Sequence, residues 1–258
     1  MQDASVKTVD RVVSILRILS RADAHGISLS EICIAAELRK TTAHRILGAL
    51  VESGLLFQDI STRYYRLGSA AAALGRSALE QDIAGAAGHS LVRIARRCCD
   101  TVFASVREGT AAICVAREVG SFPIRTLTLD IGDRRPLGVG AGSLALLASI
   151  PDSTAKDIID RNQAWLADFQ RFSPAELWRL VERTRKLGYA LNEGRIVSGM
   201  SAIGVPVLDG RGELIASLSI AAIKDRMGPE RIPELVQLLK DEAQAIADML
   251  RPVRMAAE

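Results

Sequence analysis

The chain has 258 residues, 48% of them hydrophobic and 24% charged, with 33 Lys and Arg against 30 Asp and Glu. That is the profile of a globular protein of about two domains with a sizeable core, and it excludes a strongly basic nucleic-acid tail. No signal-peptide pattern opens the chain and no apolar run reaches membrane-spanning length, so a cytoplasmic protein without a membrane partner is expected.

Residues 6–20 place Val9, Val12, Val13, Leu16 and Leu19 on a helical stripe that His25-Gly26 follows and breaks. Ser28-Leu29-Ser30-Glu31 is a capping box and opens a short helix to about Ala36. After a turn around Leu38, the residues Ala43, Ile46, Leu47, Leu50 and Val51 share one face of a second helix, which Gly54 ends. Two helices joined by a short turn make a helix-turn-helix. Residues 55–60 and 64–68 then read as two short strands, a wing. The alanine-rich stretch 69–82 reads as a connecting helix, and Gly85 and Gly88 mark a change of character after it. The expected division is a DNA-binding domain over 1–68, a linker helix over 69–84 and a second domain over 85–258.

The second domain is expected to open with a helix near 86–98 and strands at 101–106, 111–117 and 123–129. A loop, DIGDRRPLGVG, leads to a helix over 141–149. Ser173, Pro174 and Glu176 open a further helix that Gly188 closes. Strands at 189–193, 202–208 and 214–221 and a last amphipathic helix from about Pro229 complete the order. Short links between the strands favour antiparallel pairing, so this domain is read as α+β.

Lys40, Thr41, Thr42, His44 and Arg45 cluster off the apolar face at the opening of the second helix of the helix-turn-helix. A recognition helix presents its N-terminal residues to base edges in the major groove, which accounts for that cluster. Arg45 can grip guanine and Thr42 can meet a base edge. Lys40, Arg63 and Arg66 suit phosphates, and of Tyr64 and Tyr65 in the wing one is expected to point inward and the other outward. Residues 1–68 hold nine Lys and Arg against seven Asp and Glu. Double-stranded DNA would therefore be held by placed residues rather than by bulk charge.

These segments resemble the IclR family of bacterial transcriptional regulators over nearly the whole chain. The likeness runs from TVDRVVSILRILS through LSEICIAAELRKTTAHRILGALVESGLL to YYRLG. It resumes in GDRRPLGVGAGSLALLA, RKLGYALNEG and AIGVPVLDGRGELIASLSI. The resemblance implies a winged helix-turn-helix, a linker helix and a GAF-like α/β effector domain with an antiparallel sheet. It also implies a homodimer or a dimer of dimers, and a small organic acid as effector. The positions it carries over are Ala141, Gly142, Asn192, Ala202, Ser219 and Ala221. Family members that bind two- and three-carbon keto acids carry an acid where Asn192 stands, a cysteine at Ala202 and a serine at Ala221. Ser219 matches them. The pocket is thus expected to be less polar and wider.

The residues themselves agree with an anion near the turn Gly138–Ser143. Small residues let a ligand approach the backbone, and free N–H groups at a helix start favour negative charge, which adds Ser143 to the candidate site. The same small residues also suit close packing of a helix on a sheet. The spacing there is GxGxG, not the dinucleotide GxGxxG. Four cysteines without a CxxC pair and three scattered histidines offer no metal site, and no catalytic constellation is visible. Neither a cofactor nor an enzyme activity is expected. An enzyme or a protein-interaction module in the second domain remains the alternative.

Overall fold

A computed structural model describes residues 2–23 and 25–250. The chain divides into two compact units between Leu79 and Glu80.

The first unit contains α1 (Gln2–Leu19), α2 (Leu29–Ala35), α3 (Lys40–Glu52), β1 (Leu56–Gln58) and β2 (Tyr65–Leu67). The capping box forms as its spacing predicts: Ser28 Oγ accepts from the Glu31 N–H, and the Ser28 N–H donates to the Glu31 carboxylate. Ala43, Ile46, Leu47 and Leu50 of α3 are buried, and the last three share a core with Ile15, Leu19, Ile32, Leu56 and Tyr65. Each such Ile or Leu contributes about 1.5–3 kcal/mol by leaving water. Strands β1 and β2 pair antiparallel, with Phe57 opposite Arg66. Tyr65 is buried and Tyr64 is exposed, the expected alternation.

A continuous helix, α4 (Ser69–Cys98), follows. The sequence suggested two segments with a break at Gly85 and Gly88. Alanines and long side chains on both sides carry the helix through those glycines, each of which costs only about 1 kcal/mol in a helix interior.

The second unit is a six-stranded antiparallel sheet in the order β5-β4-β3-β8-β7-β6. Its strands are β3 (Thr101–Glu108), β4 (Ala111–Glu118), β5 (Arg134–Pro136), β6 (Ala190–Glu193), β7 (Met200–Leu208) and β8 (Leu214–Ile223). Its helices beyond α4 are α5 (Ala141–Ala148), α6 (Asp152–Arg161), the single turn α7 (Gln163–Leu166), α8 (Pro174–Leu187) and α9 (Ile232–Met249). Strand alternation builds two cores. On one face Val102, Ala104, Val106, Ile203, Val205, Leu218 and Ile220 pack with Leu91 and Ile94 of α4 and Leu235 and Leu239 of α9. On the other, Leu144, Leu146 and Leu147 of α5 pack with Leu177, Leu180 and Val181 of α8 and Ile158 of α6. The expected α+β class and antiparallel pairing are what the structure has.

One predicted strand is absent. Residues 123–129 join no ladder; Thr126 is buried and Leu127 exposed, while 123–125 are all exposed. The outer edge of β4 is occupied by β5 instead, through Ala111 opposite Pro136 and Ala112 opposite Arg135. Pro136 lacks an N–H and suits such an edge strand.

Between α4 and β3 the chain turns sharply at Cys99, whose φ is 63°. The next residue, Asp100, has a side chain only 2% exposed. It accepts from Arg226 Nε at 2.8 Å and from Arg231 Nη1 at 2.7 Å. Both arginines also donate to the Cys98 carbonyl, so they tie the start of α9 to the end of α4.

Candidate nucleic-acid interface and ligand cavity

The face of α3 opposite its buried stripe is solvent-facing at its N-terminal end. Lys40, Thr41, His44 and Arg45 are exposed and Thr42 is half-buried. In the wing, Arg63, Tyr64 and Arg66 are exposed. Arg39, the N-cap of α3, is exposed too and belongs beside this cluster; it lies outside the apolar period and was not singled out from the sequence. Among the described residues none of Arg39, Lys40, Arg45, Arg63 or Arg66 pairs with a carboxylate within 4 Å. The Arg66 guanidinium lies 4.7 Å from the Phe57 ring centre, its partner across the ladder. The tip between the strands is held by Asp59. Its carboxylate accepts from Ser61 Oγ at 2.6 Å and from the N–H groups of Ser61 and Thr62 at 2.9 and 3.0 Å. Those bonds, the Ser61 hydroxyl first, lower the Asp59 pKa to about 2.

In the second unit Ala141, Gly142, Ser143, Asn192, Ala202, Ser219 and Ala221 all line one cavity, with about 630 Å³ of empty space including its open mouth. The pocket face of the sheet makes the floor: Phe103, Cys114, Ala202 and Ala221 form a small apolar cluster there, against which Leu129 packs. The first turn of α5 makes one wall. Gly140, its N-cap, sits at φ 97° and supplies no side-chain cap, so the leading N–H groups have no intrahelical partner. Helix α5 lies against the sheet here, as the small residues allowed. A methyl on Gly142 would come within 3.1 Å of Ser219 Oγ.

The individual candidates differ in what they have free. Ser143 Oγ accepts from the Gly138 N–H at 2.8 Å and donates to the Pro136 carbonyl at 3.2 Å, so this hydroxyl shapes the glycine-rich turn. Asn192 Oδ1 accepts from the Arg195 N–H at 3.1 Å and orders the loop after β6. Ser219 Oγ makes no hydrogen bond to another described residue. The charged neighbours of Asn192 are tied to α8: Glu193 pairs with Arg183 at 2.6 Å and Arg195 with Glu176 at 2.5 Å.

Sequence reasoning missed the roof. Thr126, Thr128 and Leu129 come from the segment expected to be a strand, and Ile196 and Val197 follow β6. It also missed Arg135, which lines the cavity and donates to the Thr128 carbonyl. Burial lowers the Arg135 pKa, and nearby Asp133 acts the other way. The signal was available: Arg135 alternates with Arg134 on an edge strand, so one of the two must face inward. Burial raises the Cys114 thiol to about 11, which makes it a neutral part of the floor.

Comparison with known proteins reads this arrangement. The family described as "Bacterial transcriptional regulator IclR C-terminal" matches residues 76–248, and the "IclR helix-turn-helix domain" matches residues 8–59. The chain belongs to the IclR family of bacterial transcriptional regulators. It is 24% identical over 251 residues to the HTH-type transcriptional repressor AllR of Klebsiella pneumoniae, covering 95% of this chain and 90% of that protein. It is 26% identical over 243 residues to the HTH-type transcriptional regulator KipR of Bacillus subtilis, covering 93% and 96%. A putative IclR-family regulator from Rhodococcus is similar in structure, with a TM-score of 0.70 at 25% identity over 95% and 93% of the two chains. The Thermotoga maritima IclR shares the fold, with a TM-score of 0.61 at 23% identity over 97% and 99%. The regulator thus carries an IclR helix-turn-helix and an IclR ligand-binding domain, in a family of regulators rather than enzymes. No described helix is long and apolar enough to cross a membrane.

Proposed function

We propose that this regulator binds double-stranded operator DNA as a homodimer or dimer of dimers in the cytoplasm, and that a small organic acid in the cavity changes its DNA affinity. The DNA half of this reading is supported by the outward cluster of Lys40, Thr41, Thr42, His44 and Arg45 on α3, flanked by Arg63, Tyr64 and Arg66 of the wing. Arg45 and Thr42 face bases, and Lys40 and Arg66 face phosphates. The effector half is supported by one observation: the seven residues expected from the sequence converge on a single cavity against the uncapped start of α5. A carboxylate fits there because the helix dipole and free N–H groups favour negative charge.

Pairing follows from the size of the DNA reader. One recognition helix contacts too few base pairs for useful specificity, and symmetric dimers read half-sites about 34 Å apart, or a multiple of that. Ala70–Ala73 at the opening of α4 are accessible and small enough for close helix contact.

The test is fluorescence anisotropy with DNA from upstream of the regulator's own coding gene, over a range of salt concentrations and with a panel of organic acids. Tight, sequence-dependent binding that weakens steeply with salt and shifts with one acid is the expected result. Equal affinity for scrambled DNA, or an affinity no acid changes, would overturn the corresponding half. A monomeric mass at micromolar concentration with and without DNA would overturn the assembly.

A further inference from the structure

Arg135 is out of keeping with its surroundings. Three other arginines of the same unit hold carboxylates: Arg134 pairs with Glu108, Arg117 with Asp130 and Arg195 with Glu176. Arg135 has no such partner among the described residues, and no acidic side chain lines the cavity it borders. A guanidinium has five donors, and among the described residues this one meets a single acceptor, the Thr128 carbonyl. Its Nη1 lies 3.7 Å from where a methyl on Gly140 would sit, beside the uncapped opening of α5. A cation partly removed from water, next to free backbone N–H groups and facing apolar walls, is stabilised by an anion.

A second, independent observation points to a ligand in the same cavity. Thr126 is 2% exposed, and its Oγ1 is the one buried side-chain nitrogen or oxygen among the described residues that has no hydrogen-bond partner. Buried hydroxyls are normally paired, and an orphan on a cavity wall signals a missing partner. Its own segment packs through Leu129 onto the hydrophobic cluster of Phe103, Cys114, Ala202 and Ala221.

The geometry points to Arg135 as the residue that decides which acids this cavity accepts. A single carboxylate on the ligand pairs with the Arg135 guanidinium beside α5, and a hydroxyl or carbonyl on an otherwise apolar body meets Thr126. This assignment rests on the effector reading above and narrows it to hydroxy- and oxo-monocarboxylates with an aromatic or branched aliphatic body.

The test is calorimetry on the full chain. The probes are mandelate, phenylpyruvate, 4-hydroxybenzoate and 4-methyl-2-oxopentanoate, each with its primary amide. Phenylacetate, 3-phenylpropanoate, benzoate and 4-methylpentanoate serve as the respective counterparts without the second polar group. At least one acid binds the wild type, and its amide binds roughly 10- to 100-fold more weakly, the factor expected for a charge-assisted hydrogen bond. Arg135→Gln loses the same factor for the acid and removes the preference over the amide, while Arg135→Lys recovers part of both. Thr126→Val weakens binding of the hydroxy or oxo acid and leaves its plain counterpart unchanged. Unchanged thermal melting of each variant shows that folding is intact. Arg135→Gln binding the acid as wild type does, amides binding as well as acids, or no acid of the panel binding at all would each overturn the assignment. Ala202→Leu tests the effector reading by itself. It fills the floor, so undiminished acid binding by that variant would place the acid outside the cavity and remove the effector reading itself.

Discussion

Gly204 on β7 sits directly beneath the Ala141 carbonyl at the start of α5: a methyl in place of its hydrogen would lie 2.6 Å from that oxygen and 2.9 Å from the Gly142 nitrogen. Both neighbours are backbone, so neither can turn aside. Gly204→Ala is predicted to lift α5 from the sheet and to destabilise the second unit by about 1–3 kcal/mol, the usual cost of overpacking. Urea denaturation measures it; a midpoint equal to that of the wild type would show that α5 has slack against β7.

Arg45→Ala is predicted to cost about 1–3 kcal/mol at the preferred operator and to relax base choice at one position per half-site. Lys40→Ala is predicted instead to weaken binding to all sequences alike and to flatten the salt slope. Anisotropy on a set of single-base operator variants distinguishes the two patterns. An Arg45→Ala protein with wild-type base preference would remove Arg45 from the reading surface.

The wing tip is predicted to loosen in acid. Asp59 has a pKa lowered from the ordinary carboxylate range to about 2 by the Ser61 hydroxyl and the Ser61 and Thr62 N–H groups. A depressed folded pKa means that its contribution is fully present above the unfolded value of about 4 and is lost as pH falls from there through about 2. Amide chemical shifts of Ser61 and Thr62 are expected to titrate in that window, and Asp59→Ala to abolish the titration. Shifts that titrate unchanged in the variant would assign the turn to another group.

Asp100→Asn is predicted to destabilise the second unit by roughly 2–4 kcal/mol. It removes the charge that Arg226 and Arg231 share, and breaking a buried pair from one side leaves the other side uncompensated. Solvent reaches both arginine side chains, which are about a quarter exposed, and this softens the loss. Thermal unfolding reads it. An unchanged melting temperature would mean that the Cys98 carbonyl and solvent suffice for the two guanidinium groups.

The cysteines are predicted to react in two classes. Burial pushes Cys98 and Cys114 up to about 11, so at neutral pH both are thiols shielded from reagent. Cys33 and Cys99 are half-buried. Alkylation at neutral pH followed by mass spectrometry is expected to mark Cys33 and Cys99 in the native protein and the other two only after denaturation. Fast native labelling of Cys114 would mean that the cavity opens wide to solvent.

Much of this was legible in the chain. Capping residues and a 3.6-residue apolar period place α2, α3 and α8 because those signals are local. The period-2 alternation of β7 and β8 places Ala202, Ser219 and Ala221 on one face for the same reason. Strand membership was less legible. Thr126-Leu127-Thr128-Leu129 alternate in sequence as a strand does, but pairing depends on which neighbour takes the edge of β4, and Arg134–Pro136 takes it. That displacement turned a presumed sheet strand into the cavity roof, and it hid Thr126 and Arg135. The role of Ser143 was hidden too, because its partners Gly138 and Pro136 are revealed only by the bend of the loop.

The cavity therefore has two halves with different obligations. Its floor stands on β3, β4, β7 and β8, and the opposite faces of β3, β7 and β8 hold Val102, Ile203 and Leu218 in the main core, so a change there is felt by the whole unit. Its roof, from Thr126 to Leu129 and at Ile196 and Val197, belongs to no ladder. Substitutions in the roof are therefore expected to reshape the cavity at little cost to how the domain holds together. On the effector reading proposed above, a change of ligand here requires substitutions in a short strap of chain only, and leaves the floor as it is.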